Sequence, residues 1–200
     1  MGDKNDNLEI IKIGFFGDSS VGKTYLARKY VKDKNLDYTL STTGVEYYTT
    51  KRNLSDGNQY KITIYDTAGQ ERFKSISINS FRHCDGVILM YDITNRDSFH
   101  SISEWVKNMY DAKDKGFPFI LIGNKNDLKD QREVSEEEGL EAAEKYETKY
   151  FETSAKNGIN VEKSIDELLN KIISKTIIKV KTIKLDPRKS KVKTKHKCCG

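Results

Sequence analysis

The stretch GDSSVGKT, Gly17 to Thr24, constrains this chain more than any other segment of its length. It matches G-x-x-x-x-G-K-[ST], follows the apolar run EIIKIGFF directly and opens the helical pattern KTYLARKYV. A loop in that setting needs glycine where backbone N–H groups approach phosphate oxygens. The helix that follows turns the positive end of its dipole toward the anion. Asp18, Ser19, Ser20, Val21 and Gly22 line such a cradle through their backbone. Lys23 brings a point charge to the outer phosphates, and the Thr24 hydroxyl reaches Mg2+. The motif alone does not separate ATP from GTP.

The rest of the chain alternates short apolar runs with amphipathic segments. VEYYTTKRNL and QYKITIYD alternate like strands, with Ser55-Asp56-Gly57-Asn58 between them as a hairpin turn. GVILMYD and FPFILIG are continuous apolar runs, as strands covered on both faces require. Helical patterns follow them near 97–111 and 135–148, and KYFETS is a last short strand. From Val161 the positions Ile165, Leu168, Leu169, Ile172 and Ile173 form one helical stripe, with Asn160 as its N-cap. This alternation predicts a mainly parallel sheet with helices on both faces, and ligands at the carboxyl ends of its strands.

Three further motifs follow strands at that end. In NKND, Asn124, Lys125 and Asp127 succeed FPFILIG. A carboxylate there can accept from both the ring N–H and the exocyclic amine of guanine, a donor pair that adenine lacks. In TSAKN, the short Ser154 and Ala155 let backbone N–H groups approach the base carbonyl, and the stems of Lys125 and Lys156 can cover the ring faces. In DTAGQERF, Asp66 is placed to hold Mg2+ through water, Gly69 to offer its N–H to a terminal phosphate, and Gln70 to orient a water for in-line attack. Each stretch by itself is a common loop or surface composition; it is their conjunction that forms a site.

The four motifs, in this order and spacing, resemble the Ras superfamily of small GTPases. GDSSVGKT, TGVEYYTT, YDTAGQERF, LMYDIT and the double-cysteine end resemble the Rab family in particular. The resemblance covers about residues 8–175 plus the terminus. It implies an α/β P-loop GTPase fold, with a six-stranded, mostly parallel sheet, one antiparallel strand and five helices. It also implies GTP/GDP and Mg2+ binding, slow hydrolysis stimulated by an activating protein, and two switch loops read by effectors. On the family pattern Thr42 joins Mg2+ and the terminal phosphate, and switch II runs from about Asp66 to Phe81. No arginine suited to the transition state is evident in the chain, and Arg72 is read as switch packing. An exchange factor and a prenyl-binding escort or GDP-dissociation inhibitor are implied as partners. The domain is expected as a monomer.

The sequence departs from that pattern at several positions. The three aromatic positions between the switches correspond to Tyr47, Tyr65 and Ser80, and Thr43 stands where isoleucine is usual. Asn35 replaces an aromatic that packs on guanine, with Leu36 and Tyr38 nearby, and Ser20 replaces a common glycine.

Charge divides the chain. The net charge is +5, yet residues 171–200 carry eleven Lys/Arg against Asp186, or +10, leaving the remainder at −5. An acidic body with a basic appendage suits an acidic surface rather than DNA, and the tail lysines lack the interleaved aromatics of a single-strand binder. With three cysteines and no apolar leader the chain reads as one kept in a reducing compartment, without a disulfide framework. The end KTKHKCCG is not C-a-a-X, because position 197 is lysine, and Asp6 stands where N-myristoylation wants Ser or Thr. In Rab-like proteins a terminal double cysteine is similar to a site for two geranylgeranyl groups. This makes Cys198 and Cys199 the expected lipid anchors, on the cytoplasmic face of an intracellular or plasma membrane and cycling with cytosol. The expected organisation is an N-terminal extension over 1–7, a GTPase domain over 8–175, and a flexible basic tail over 176–200, extended after Lys175.

Overall fold

EIIKIGFF forms strand β1 (Glu9–Phe16) in a computed structural model that describes residues 8–32, 45–67 and 79–185. Five more strands follow: β2 (Val45–Asn53), β3 (Gln59–Thr67), β4 (Gly86–Asp92), β5 (Phe119–Asn124) and β6 (Lys149–Thr153). They form one sheet in the order β2-β3-β1-β4-β5-β6. The β2–β3 pair is antiparallel and every other pairing is parallel. The antiparallel pair is the one with a short connection. There Gly57 takes φ 83°, and Asp56 accepts from Asn58 N and from the Tyr60 hydroxyl. The parallel pairs need crossovers, which the helices supply.

Five helices are described: α1 (Lys23–Val31), α2 (Arg96–His100), α3 (Ile102–Ala112), α4 (Glu136–Lys145) and α5 (Val161–Leu185). The pleat of β1 sends Phe15 and Phe16 to opposite faces. Phe15 joins Ile64 and Met90 under Leu26 and Tyr30 of α1 and Leu169 of α5. Phe16 joins Leu89 and Leu121 under Trp105 and Met109 of α3 and Ala143 of α4. Every residue of β4 and β5 is buried, as apolar runs covered on both sides require. Each such aliphatic side chain stabilises by about 1.5–3 kcal/mol on burial.

The sequence predicts one helix over 97–111, and the structure divides it at Ser101. The Ser101 hydroxyl donates back to Asp97 O at 3.1 Å, the same carbonyl that takes the Ser101 N–H. The segment near 135–148 is helical over Glu136–Lys145. It begins with a capping box in which the Ser135 side chain takes the Glu138 N–H and Glu138 returns to Ser135 N. Asn160 does stand directly before α5, but its amide donates to Glu152 O at 2.8 Å.

The larger difference lies after Lys175. TIIKVKTIKL alternates like a strand, and extended chain is expected there, but α5 continues through it to Leu185. A strand needs a neighbour to take its N–H and C=O groups; a helix satisfies them itself, and adding residues to an existing helix is cheap. No glycine or proline interrupts the chain between Val161 and Leu185, and Pro187 comes only after it.

β1 lies between β3 and β4, so the chain leaves it toward both edges of the sheet. The crevice at such a switch point opens at the carboxyl ends of the strands, where the glycine loop, Asp66, Asp92, Asn124 and Ser154 all lie.

Candidate functional site

The loop from Gly17 to Gly22 is held against two strands. Gly17 has φ 142°, and a Cβ there would stand 2.1 Å from Met90 O of β4; Gly22 has φ 99°, and its Cβ would stand 2.3 Å from Asn124 Nδ2. Any side chain would push the loop off the sheet. Ser20 adopts φ 64° without the freedom of glycine. Helix α1 then starts at Lys23 with no side-chain cap hydrogen bond from Gly22 and no acid in its first turn, so no charge of its own offsets the positive end of its dipole.

Lys23 is buried, and its Nζ donates to Gly17 O at 2.8 Å and to Asp18 O at 2.7 Å. Burial lowers its pKa to about 8, against the pull of Asp66 and Asp18. Thr24 Oγ1 donates to Asp66 Oδ2 at 2.5 Å. Asp66, at the end of β3, is fully buried, and burial raises its pKa to about 6 despite the Thr24 bond and Lys23. Its other oxygen, Oδ1, is buried with no hydrogen-bond partner. An ionisable oxygen left bare beside a hydroxyl fits a small divalent cation, which takes oxygen donors and supplies the missing charge.

The second half of the site is built round Asn124, at the end of β5. Its Nδ2 donates to Val21 O at 2.9 Å, and its Oδ1 accepts from Thr153 Oγ1 at 2.9 Å and from Ala155 N at 3.3 Å. One side chain thus joins the glycine loop, β5 and the loop after β6, and both its ends bond to protein. Lys125 has φ 70°, and its Nζ pairs with Asp92 Oδ2 at 2.6 Å. Asp92 also accepts from Thr94 N and Oγ1. Asp127 Oδ1 accepts from Ser154 Oγ at 2.6 Å, which fixes one carboxylate oxygen and aligns the NKND and TSAKN loops. Ser154 N–H donates to Ile159 O, so of the two N–H groups expected near a base carbonyl this one is taken and that of Ala155 has a long bond. Lys156 is exposed beside them.

The structure therefore brings Asp18–Thr24, Asp66, Asn124, Lys125, Asp127 and Ser154–Lys156 to one end of the sheet. Thr42, Gly69, Gln70, Asn35, Thr43, Arg72, Cys198 and Cys199 lie outside the described residues. Among the interswitch positions, exposed Tyr47 meets Tyr65 edge-on, with ring centroids 5.0 Å apart, and Ser80 is buried. Sequence reasoning did not find Asp92, Thr153 or the bond from Trp105 Nε1 to Asp18 Oδ1 at 2.8 Å. An acid closing the strand GVILMYD was a signal available for the first. The other two depend on contacts that no local pattern reveals. No helix among the described residues is long and apolar enough to cross a membrane.

Comparison with known proteins agrees with this geometry. The family model described as Ras family matches residues 12–174. The chain is 39% identical over 189 residues to Ras-related protein RABA5a of Arabidopsis thaliana, covering 92% of this chain and 85% of that one. It is 40% identical over 176 residues to Ras-related protein Rab-27B of Rattus norvegicus, covering 83% and 81%. It is 39% identical over 166 residues to Ras-related protein Rab-8B of Homo sapiens, covering 83% and 80%. With the glycine loop, the Thr24–Asp66 pair and the Asn124 hub at the switch point of such a sheet, the chain belongs to the Ras superfamily as a small GTPase of the Rab family.

Proposed function

We propose that this chain is a membrane-anchored GTP/GDP switch of intracellular vesicle traffic, hydrolysing GTP slowly alone and faster with an activating protein. The observation that carries the reading is the Thr24–Asp66 pair with its bare Oδ1, set beside Lys23 and across Asn124 from Asp127. It offers a cation seat, a phosphate cradle and a guanine-reading carboxylate at one end of one sheet. Thr24, Asp66 and Thr42 would hold Mg2+, which when bound neutralises charge on the β- and γ-phosphates. Lys23 holds the outer phosphates and Asp127 selects guanine. Gln70 orients the attacking water. Thr42 and Gly69 report the terminal phosphate, so hydrolysis releases both switch segments. The chain has no evident cis arginine, so an activating protein supplies groups worth roughly 10³–10⁵ in rate.

An exchange factor, effectors at the switches and a prenyl-binding escort or GDP-dissociation inhibitor complete the cycle. Cys198 and Cys199 carry the lipid, and the basic tail adds attraction to an anionic leaflet. The test uses full-length purified protein. It should retain fluorescent GDP in Mg2+, lose it to excess GTP and keep it against excess ATP. Gln70→Leu should keep binding and slow hydrolysis in a cell extract that serves as activator. Displacement by ATP would overturn the guanine assignment. Activated hydrolysis at the unsubstituted rate in the Gln70 variant would remove that residue from its role.

A further inference from the structure

Asp18 faces two ways. Its backbone carbonyl accepts from Lys23 Nζ, inside the phosphate loop. Its carboxylate reaches out to helix α3, where Trp105 Nε1 donates to Oδ1 at 2.8 Å. Trp105 is 1% exposed. It lies against Phe16, at the end of β1, and Phe81, with centroids at 6.3 and 6.5 Å, and those two phenyl rings stack at 3.8 Å. The indole is therefore locked by packing, and its N–H is aimed rather than free to search. An indole N–H is a donor only, so this contact cannot invert.

A carboxylate is the wrong sign for a loop that wraps phosphates. Repulsion between like charges grows as they approach and as water is excluded. A loose Asp18 side chain, one residue from Gly17, would face that repulsion whenever a nucleotide is bound. We propose that Trp105 is a positioning residue for the phosphate loop: its indole N–H holds the Asp18 carboxylate against α3, so that the loop's own negative charge is kept from the nucleotide phosphates. The inference rests on the nucleotide reading of the loop given above.

The two ends of this bond have opposite expected effects, and this separates positioning from mere packing. Trp105→Phe keeps a ring in the aromatic cluster and removes the donor, leaving a free carboxylate. Release of fluorescent GDP should become about ten-fold faster, the scale set by losing a hydrogen bond to a charged group. Asp18→Ala removes the carboxylate itself, and release should become about two-fold slower than in the unsubstituted protein. The double variant should follow Asp18→Ala, because Trp105 then has nothing to restrain. Fast release in both Trp105→Phe and the double variant would mean that the tryptophan acts through packing alone. Unchanged release in Trp105→Phe would overturn the proposal as well.

Should Trp105→Phe fail to fold, the sole tryptophan gives a single indole N–H resonance in the unsubstituted chain. That resonance should be protected from solvent exchange with GDP bound and lose its protection in Asp18→Ala. Release from Asp18→Ala faster than from the unsubstituted protein overturns the proposal whatever happens to Trp105→Phe. If the unsubstituted protein holds no GDP, the nucleotide reading falls and this inference with it; equal release rates defeat this inference alone.

Discussion

Thr24 Oγ1 and Asp66 Oδ2 stand 2.5 Å apart across 42 residues of sequence, one on the first turn of α1 and the other at the end of β3. The hydroxyl hydrogen is spent on the carboxylate, whose other oxygen, Oδ1, has no hydrogen-bond partner and would be the one to meet a cation. Thr24→Val keeps the shape and removes both the bond and the ligand. A hydrogen bond to a charged group contributes about 1.5–3 kcal/mol, so Mg2+ should lose at least ten-fold of its slowing effect on GDP release. Release rates measured in Mg2+ and in chelator would then nearly coincide. A Mg2+ effect of full size in Thr24→Val would remove the hydroxyl from the site.

The same pair makes stability depend on pH. Folded Asp66 titrates at about 6 rather than its ordinary 3.8, so between these values the folded chain holds a proton that the unfolded chain has released. Its contribution is present below pH 4 and is lost as pH rises through 6, by up to about 3 kcal/mol. Lys23 acts in another window. Its pKa is lowered from 10.5 to about 8, so stability lost to its buried charge returns as pH rises from 8 toward 10.5. Near pH 7 both groups are charged and buried, and Mg2+ with GDP would add opposite charge to what the Thr24 hydroxyl and the Gly17 and Asp18 carbonyls supply. Thermal unfolding should show a larger rise of Tm on adding Mg2+ and GDP at pH 7 than at pH 5. An equal rise at both would falsify the assignment of these charges to the ligand site.

Ser20 carries a side chain at φ 64°. The left-handed region costs an L-residue about 1–2 kcal/mol, and glycine gives back roughly 0.5–1 kcal/mol of that through its freer unfolded chain. Ser20→Gly should therefore stabilise the nucleotide-free protein by up to about 1 kcal/mol in a denaturant titration. A loss of stability would show that the serine side chain makes a compensating bond.

The anchor is tested by replacing Cys198 and Cys199 together with Ser, which should move the protein from membranes to cytosol on fractionation. Replacing the tail lysines alone should weaken or redirect the attachment without abolishing it, because charge near a leaflet adds to lipid rather than substituting for it. Pelleting of the double-Ser variant at the unsubstituted level would defeat the lipid assignment.

The strands were legible because each is a run whose burial pattern is written in its own residues; Glu9–Phe16 and Gly86–Asp92 are bounded as their apolar runs are. The loops of the site could be located because each motif follows one of those strands directly, and the structure brings those among the described residues to one end of the sheet. What the motifs left out was the division of labour. Asn124 reads as a base contact in NKND, but its amide bonds to Val21, Thr153 and Ala155, three partners in separate parts of the sequence. Trp105 reads as one more apolar position on a helix, and only the fold brings its N–H to Asp18, 87 residues away. The end of α5 was misread for a different reason. Lysines alternating with apolar residues suit a strand by period, and without an obvious partner strand they and Pro187 suggest an extended tail, whereas a helix satisfies its own backbone with no neighbour.

The continuation of α5 to Leu185 alters how the domain would stand above a bilayer. Ten residues of extended chain are a rope of about 33 Å, free to shorten to nothing. Wound into helix, residues 176–185 are a rod of about 15 Å that neither stretches nor folds back. Because the rod continues the helix packed on β4, its direction is fixed by the domain itself. With lipid on Cys198 and Cys199 as proposed, a pull from the membrane would reach the domain along that axis, and the choice of which face meets an approaching partner would become a matter of leverage as well as of length.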